Sequence, residues 1–185
     1  MPGIGQSGAS PAPHPESLGV VISMPPALAA ELHAWRESYA GPGNGAVPAH
    51  ITLVSGRARH SWDEAAEHVR KVAREGSPFT VSLRGTGTFA PVSPVVFLNV
   101  DRGAGECRKL HDELLAGPVE HLLDFGFEPH LTVAHDLDAG TMARAEAEMA
   151  DFAAELEVNS IGLYDYAQGR WELYEELALG GDTTA

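Results

Sequence analysis

A chain of 185 residues, 44% hydrophobic and 21% charged, can bury one well-cored domain or two small lobes that share a core. Twelve Lys and Arg against 26 Asp and Glu leave a formal charge of −14, so the basic footprint that stable binding of long nucleic acid needs is missing. No apolar run reaches the roughly 18 residues of a membrane helix, no signal-peptide pattern opens the chain, and the single cysteine, Cys107, permits no internal disulfide. These readings make the cytoplasm the expected compartment and a monomer the expected state, and they leave room for a small anionic ligand at a local site.

In chain order, residues 1–17 (MPGIGQSGASPAPHPES) are rich in Gly, Pro, Ser and Ala and read as a disordered leader. SLGVVISM (17–24) is a β-branched run and predicts a strand. A helix is expected over 26–40, with Leu28, Leu32, Trp35 and Tyr39 at helical spacing and Pro26 in the tolerated first turn. After a turn-rich loop, HITLVS (50–55) is the next strand, followed by a helix over 61–76 that opens on Ser61 with Glu64 three residues on and stops at Gly76. Strands over 79–89 and 94–100 come next, then a helix over 105–119, a strand over 129–135 and a helix over 138–152. The close reads as a hairpin, 154–166 and 169–179, with 180–185 as a flexible tail. Each half therefore holds a helix, a His-bearing strand, a second helix and two further strands. The expected class is α+β, as two similar lobes within one domain spanning 18–179.

Two stretches carry the chemistry: VPAHITLVSG (47–56) and FEPHLTVAHD (127–136). Side chains on a strand alternate between faces. His50 and Thr52 thus share one face with Ile51 and Leu53 on the other, and His130 and Thr132 share one with Leu131 and Val133 opposite. The aliphatics are the core face, so both His-Thr pairs look into a groove. Two imidazoles that ionise near neutrality suit general acid–base catalysis on a phosphate, one taking a proton and the other giving one, with two hydroxyls holding the nonbridging oxygens. No HExxH pattern or Cys cluster offers a metal site, and no cofactor is implied.

The pair AHITLVSG and PHLTVAH, with LRGTGTFAPVSPVVFLNV between, resembles the two-histidine phosphoesterase superfamily, in the branch of 2′-5′ RNA ligase-like proteins and cyclic nucleotide phosphodiesterases. The resemblance spans about residues 18–179. It implies two pseudo-symmetric lobes of antiparallel sheet with helices outside and the active cleft between them. It further implies a metal-independent mechanism, His50 and His130 as the catalytic pair, Thr52 and Thr132 as the phosphate-holding hydroxyls, and, in the reaction, His50 as the proton donor and His130 as the proton acceptor. The expected activity is hydrolysis of a 2′,3′-cyclic phosphate, or a related cyclic phosphodiester, on a nucleotide or RNA end. Ligation to a 2′-5′ linkage is the same chemistry reversed, and a catalytically silent nucleotide-binding module is the competitor from another class. A purely structural domain, with both histidines in its core, is a third.

The remaining candidates are weaker. Arg57 is taken as a substrate-binding cation, with Arg59 beside it. Phe89 leads Tyr164, Tyr166 and Trp171 as the aromatic that would contact a nucleobase. His135, five places after His130, is expected on the face away from the pair. His14, His33, His60, His68, His111 and His121 are read as surface or packing residues. Cys107 is read as an ordinary thiol, though the neighbouring Arg108 and Lys109 could lower its pKa.

Overall fold

The alternation that puts aliphatics on one side of each His strand gives a sheet whose apolar side carries helices and whose other side is free to form a site. A computed structural model describes residues 17–42, 47–123, 126–167 and 169–181. Its elements are β1 (Ser17–Ser23), α1 (Pro26–Ala40), β2 (His50–Ala58), α2 (Trp62–Glu75), β3 (Phe79–Thr88), β4 (Val95–Val100), α3 (Ala104–Leu115), β5 (Val119–His121), β6 (His130–His135), α4 (Ala139–Glu148), β7 (Ala153–Val158), β8 (Ser160–Ala167) and β9 (Arg170–Ala178). The α+β class and the two-lobed antiparallel architecture are as expected. The strands run in the order β7-β3-β4-β6-β2-β1-β8-β9, every pair antiparallel, with β5 attached to β2.

The two lobes meet where β2 and β6 pair through Ile51 and Leu131, both fully buried. The sheet must also curl: β7 lies beside β3 in one lobe and β8 beside β1 in the other, yet only Asn159 separates them in sequence. Since consecutive Cα atoms sit about 3.8 Å apart, the edge strand β7 of one lobe ends within two residue steps of β8, which lies one strand in from the other lobe's edge. The expected single strand over 154–166 is thus two strands serving different lobes. Only its second part forms the hairpin with β9.

Helices are exchanged between the halves. The helix α1, which follows β1, packs on β6, and α3, which follows β4, packs on β2 and β5. A Tyr39 hydroxyl donating to Glu148 Oε2 at 3.1 Å ties α1 to α4 on the β6 side. The helix α2 starts as read, with Ser61 Oγ accepting from the Glu64 N–H at 3.2 Å, and buries Ala65, Ala66, Val69, Val72 and Ala73 along one stripe. The expected helix over 105–119 ends at Leu115, because Gly117-Pro118 cannot continue it, and the chain turns into β5 instead.

Residues 1–16 of the expected leader and 182–185 of the expected tail lie outside the described residues, whereas Ser17 opens β1 and the Gly180 N–H donates to the Ala73 carbonyl at 3.0 Å. Among the described residues no helix is long and apolar enough to cross a membrane.

Candidate active site

Antiparallel register around the Ile51–Leu131 rung sets His50 beside Thr132 and Thr52 beside His130, all four on the side opposite the core. The same backbone device orients each imidazole. His50 Nδ1 donates to the Pro48 carbonyl at 2.8 Å, and His130 Nδ1 donates to the Glu128 carbonyl at 2.7 Å. A carbonyl cannot donate, so the proton sits on Nδ1 in both rings. In the neutral ring Nε2 is left as a lone pair, and in the imidazolium as a second N–H. Both Nε2 atoms are thereby reserved for whatever enters the cleft.

Each His strand carries a bulge three residues after its histidine. Against β1, Thr52 pairs with Val21 and Val54 with Val20, skipping Leu53; against β4, Thr132 pairs with Phe97 and Ala134 with Val96, skipping Val133. The extra residue shifts the alternation by one. Ser55 and His135, which strict alternation puts on the core side, turn into the cleft. The reading of His135 is corrected accordingly: it lines the same cavity as His130 and Thr132, with Nδ1 3.1 Å from Asp136 Oδ2. The sequence did hold the signal. Leu53-Val54 and Val133-Ala134 are doubled apolar residues that break the alternation at the same place in both motifs, and all four are buried.

The cavity has a volume of about 430 Å³, within the ~300–1,000 Å³ usual for small-molecule sites. His50, Thr52, His130 and Thr132 all line it. Its permanent cation is Arg36 of α1, a residue that helical spacing alone does not single out; its Nη1 donates to the Val47 carbonyl at 2.8 Å, and burial lowers its pKa. Arg57, the expected cation, is not among the lining residues; its Nε donates to Glu120 Oε2 at 2.9 Å, and Arg59 is exposed past the strand end. Phe89 lies edge-on to the His130 ring at 4.9 Å, with Phe97 at 5.1 Å from the same ring, so it supports the imidazole rather than lining the cavity. Gly87 makes this packing fit, since a Cβ there would come within 2.7 Å of the Phe97 ring. Tyr164 and Trp171 do line the cavity, on the β1 side, while Tyr166 packs edge-on to Trp171 at 5.3 Å.

Burial is the main influence on both imidazoles and pushes both below the ordinary histidine range. The Pro48 carbonyl opposes this at His50, and the charges of Arg36 and His130 add to it. At His130 the Glu128 carbonyl and carboxylate both oppose it. Cys107 is buried, and burial, then Glu106, push its thiol up to about 12, outweighing the lowering by Arg108. His68 and His111 also do more than pack, since His68 Nε2 donates to the Glu113 and Leu114 carbonyls at the end of α3 (3.0 and 3.1 Å) and His111 Nδ1 donates to the Leu53 carbonyl at 2.6 Å.

The model of the 2′-5′ RNA ligase superfamily matches residues 24–170, which include both His strands. The chain belongs to this superfamily. It is thereby one of the two-histidine phosphoesterases that its motifs resemble. A Bacillus pumilus protein named "Putative phosphoesterase" is 30% identical over 179 residues, covering 88% of this chain and 96% of its own length. Escherichia coli LigT, solved with 3′-AMP, superposes with a TM-score of 0.64 at 20% identity, covering 91% of this chain and all of LigT. Kluyveromyces marxianus Usb1 superposes with a TM-score of 0.58 at 10% identity over 91% of this chain and 100% of its own. These two structural likenesses establish the shared two-lobed fold of the superfamily.

Proposed function

We propose that this member of the superfamily is a phosphoesterase that opens a 2′,3′-cyclic phosphate, or a related cyclic phosphodiester, on a small nucleotide or an RNA end. The observation that carries the reading is the matched pair of imidazoles: each is fixed through Nδ1 to the carbonyl two residues earlier, presents Nε2 to one cavity, and stands beside the other lobe's threonine. One neutral Nε2 takes a proton from water as the water oxygen attacks phosphorus. The P–O bond to one ribose oxygen breaks in line, and the opposite imidazolium delivers its Nε2 proton to that oxygen. The product is a phosphomonoester, and solvent restores the two protonation states. Thr52 and Thr132 are placed to donate to the nonbridging oxygens as charge builds on them. No step in this scheme calls on a metal ion. The phosphoesterase name of the 30%-identical relative supports the reaction class, and the family description supports the reverse, ligating direction on the same groups. The net charge of −14 favours a small nucleotide over long nucleic acid.

The test is incubation with 2′,3′-cyclic nucleotides, with and without a chelator, beside His50→Ala and His130→Ala. Chelator-insensitive turnover that either substitution abolishes is the expected result. Turnover lost with the chelator overturns the metal-free mechanism, and no turnover on any cyclic phosphate leaves the binding-module reading ahead.

A further inference from the structure

Along one edge of β2 the partner strand changes. The edge pairs with β6 at Ile51 and with β5 from Gly56 onward, through Gly56–His121, Arg57–Glu120 and Ala58–Val119. Residues 53–55 have no strand partner there among the described residues, and this stretch contains the bulge, one residue past Thr52, that turns Ser55 into the cleft. Two histidines fill the gap. The Leu53 carbonyl, turned out of the ladder by the bulge, accepts from His111 Nδ1, and the Ser55 N–H donates to His121 Nδ1 at 3.2 Å. Leu122 N–H returns to the Ser55 carbonyl at 3.1 Å. His111 is buried, stacked on Phe127 with centroids 4.0 Å apart, and its ring meets that of His121 at 5.1 Å. Close approach of β5 depends on Gly56, because a Cβ there would run into the Glu120 carbonyl.

We propose that His121 is a positioning residue for His50 and Thr52, acting with His111 as a clamp on the β2 bulge that holds only while His121 is neutral. The proposal rests on reading His50 and Thr52 as half of the catalytic site. Its logic is one of donors and acceptors. An imidazolium has no lone pair, so protonated His121 cannot accept from Ser55, and the bulge is left with an unpaired, part-buried N–H. Beside His121 stand His111 on α3, whose charge acts on it, and the Arg57–Glu120 pair on the adjacent rung. Burial, then the neighbouring His111, favour the neutral form of His121. The clamp is therefore closed at neutral pH and opens on acidification. A displacement of the order of 1 Å in a catalytic group can cost about a hundredfold in rate.

The test compares His121→Phe, which removes the acceptor, with His121→Asn, whose side-chain oxygen can stand in for Nδ1 and does not titrate. Expected for His121→Phe is a kcat on 2′,3′-cyclic nucleotide lowered by about 10- to 100-fold with little change in KM. Expected for His121→Asn is recovery of most of that loss. In parallel, hydrogen exchange at the Ser55 amide, corrected for intrinsic rates, should show protection that falls on acidification in the natural protein, is absent in the Phe variant and is pH-independent in the Asn variant. A Phe variant with natural kcat and natural Ser55 protection overturns the proposal, as does an Asn variant no better than Phe. Should the natural protein turn over no cyclic phosphate, the exchange data alone decide the clamp, so failure of the phosphoesterase reading and failure of this one are told apart.

Discussion

On β2 the His50 imidazole has the Arg36 guanidinium in its field, while on β6 that of His130 lies against Phe89 and Phe97 with the Glu128 carboxylate near. The backbone of the two strands is the same in each respect that aims a side chain: the i−2 carbonyl on Nδ1, the threonine two places on, and the bulge one place after that. Geometry is thus duplicated and chemistry is not. In the proposed mechanism one imidazole is neutral and one charged, and side chains outside the motif bias which is which. Burial lowers both pKa values; beyond that, Arg36 disfavours a charged His50 and Glu128 favours a charged His130. Arg108, donating to Glu128 at 2.9 and 3.0 Å, tempers the second effect. Under the proposed mechanism these charges bias the proton of the pair toward His130 in the free protein, the reverse of the order that the family resemblance implies.

The comparison breaks most readily at the histidines. Substituting either by Ala should lower kcat by about 10²–10⁴, and the double variant should be scarcely worse than the single ones, because the pair acts as a unit. Steady-state rates that survive within about tenfold on one side only would mean the two strands are not halves of one site. Next come the hydroxyls: Thr52→Val and Thr132→Val should each cost about 10²–10³ in kcat, as loss of one donor to a developing oxyanion does. A much smaller loss in one lobe would assign charge stabilisation to the other.

Smaller, but diagnostic, are shifts along the pH axis. The kcat/KM profile should be a bell centred below about 6.5, the ordinary histidine value, since both groups are depressed. Arg36→Met should raise the His50 titration and Glu128→Gln should lower that of His130, as followed by NMR of the imidazole protons. Movement of both resonances together in either variant would show a coupled pair and blur the assignment. Smallest is the effect on stability. A histidine whose pKa is lower folded than unfolded leaves the unfolded chain holding more protons between the two values, so stability falls as pH drops below about 6.5. The melting temperature should therefore decline on acidification more steeply in the natural protein than in a His50→Asn, His130→Asn double variant; equal slopes would contradict the depressed values.

Much of this was legible in the residues. The His-φ-Thr-φ pair marked the site, Ser61 marked a helix start, and Leu28 to Tyr39 marked α1, because each of those signals is local. What escaped reading depends on contacts distant in sequence. Strict alternation counts residues and misses that Leu53 and Val133 are skipped; the doubled apolar pairs hint at the bulge, but the pairing with β1 and β4 is what turns His135 into the cleft. A three-residue strand such as β5 exists only because β2 has an edge for it. Nothing local in the run AAELEVNSIGLYDYA tells 153–158 from 160–167, since the lobe each joins is decided by the curl of the whole sheet. Arg36 had no motif; it matters because α1 ends beside a strand from which its own chain position gives no hint.

The exchanged helices carry a consequence for how such a molecule is held together. With α1 laid on β6, α3 laid on β2 and β5 paired along the edge of β2, each half of the chain shelters the other's His strand. Were the chain cut between β3 and β4, each piece would keep only part of the cover of its His strand, from α2 on β2 or α4 on β6, and the two would have to interlock as swapped partners do to restore the rest. The arrangement amounts to a domain swap made permanent inside one polypeptide, in which the unit that folds and the unit that catalyses are the same.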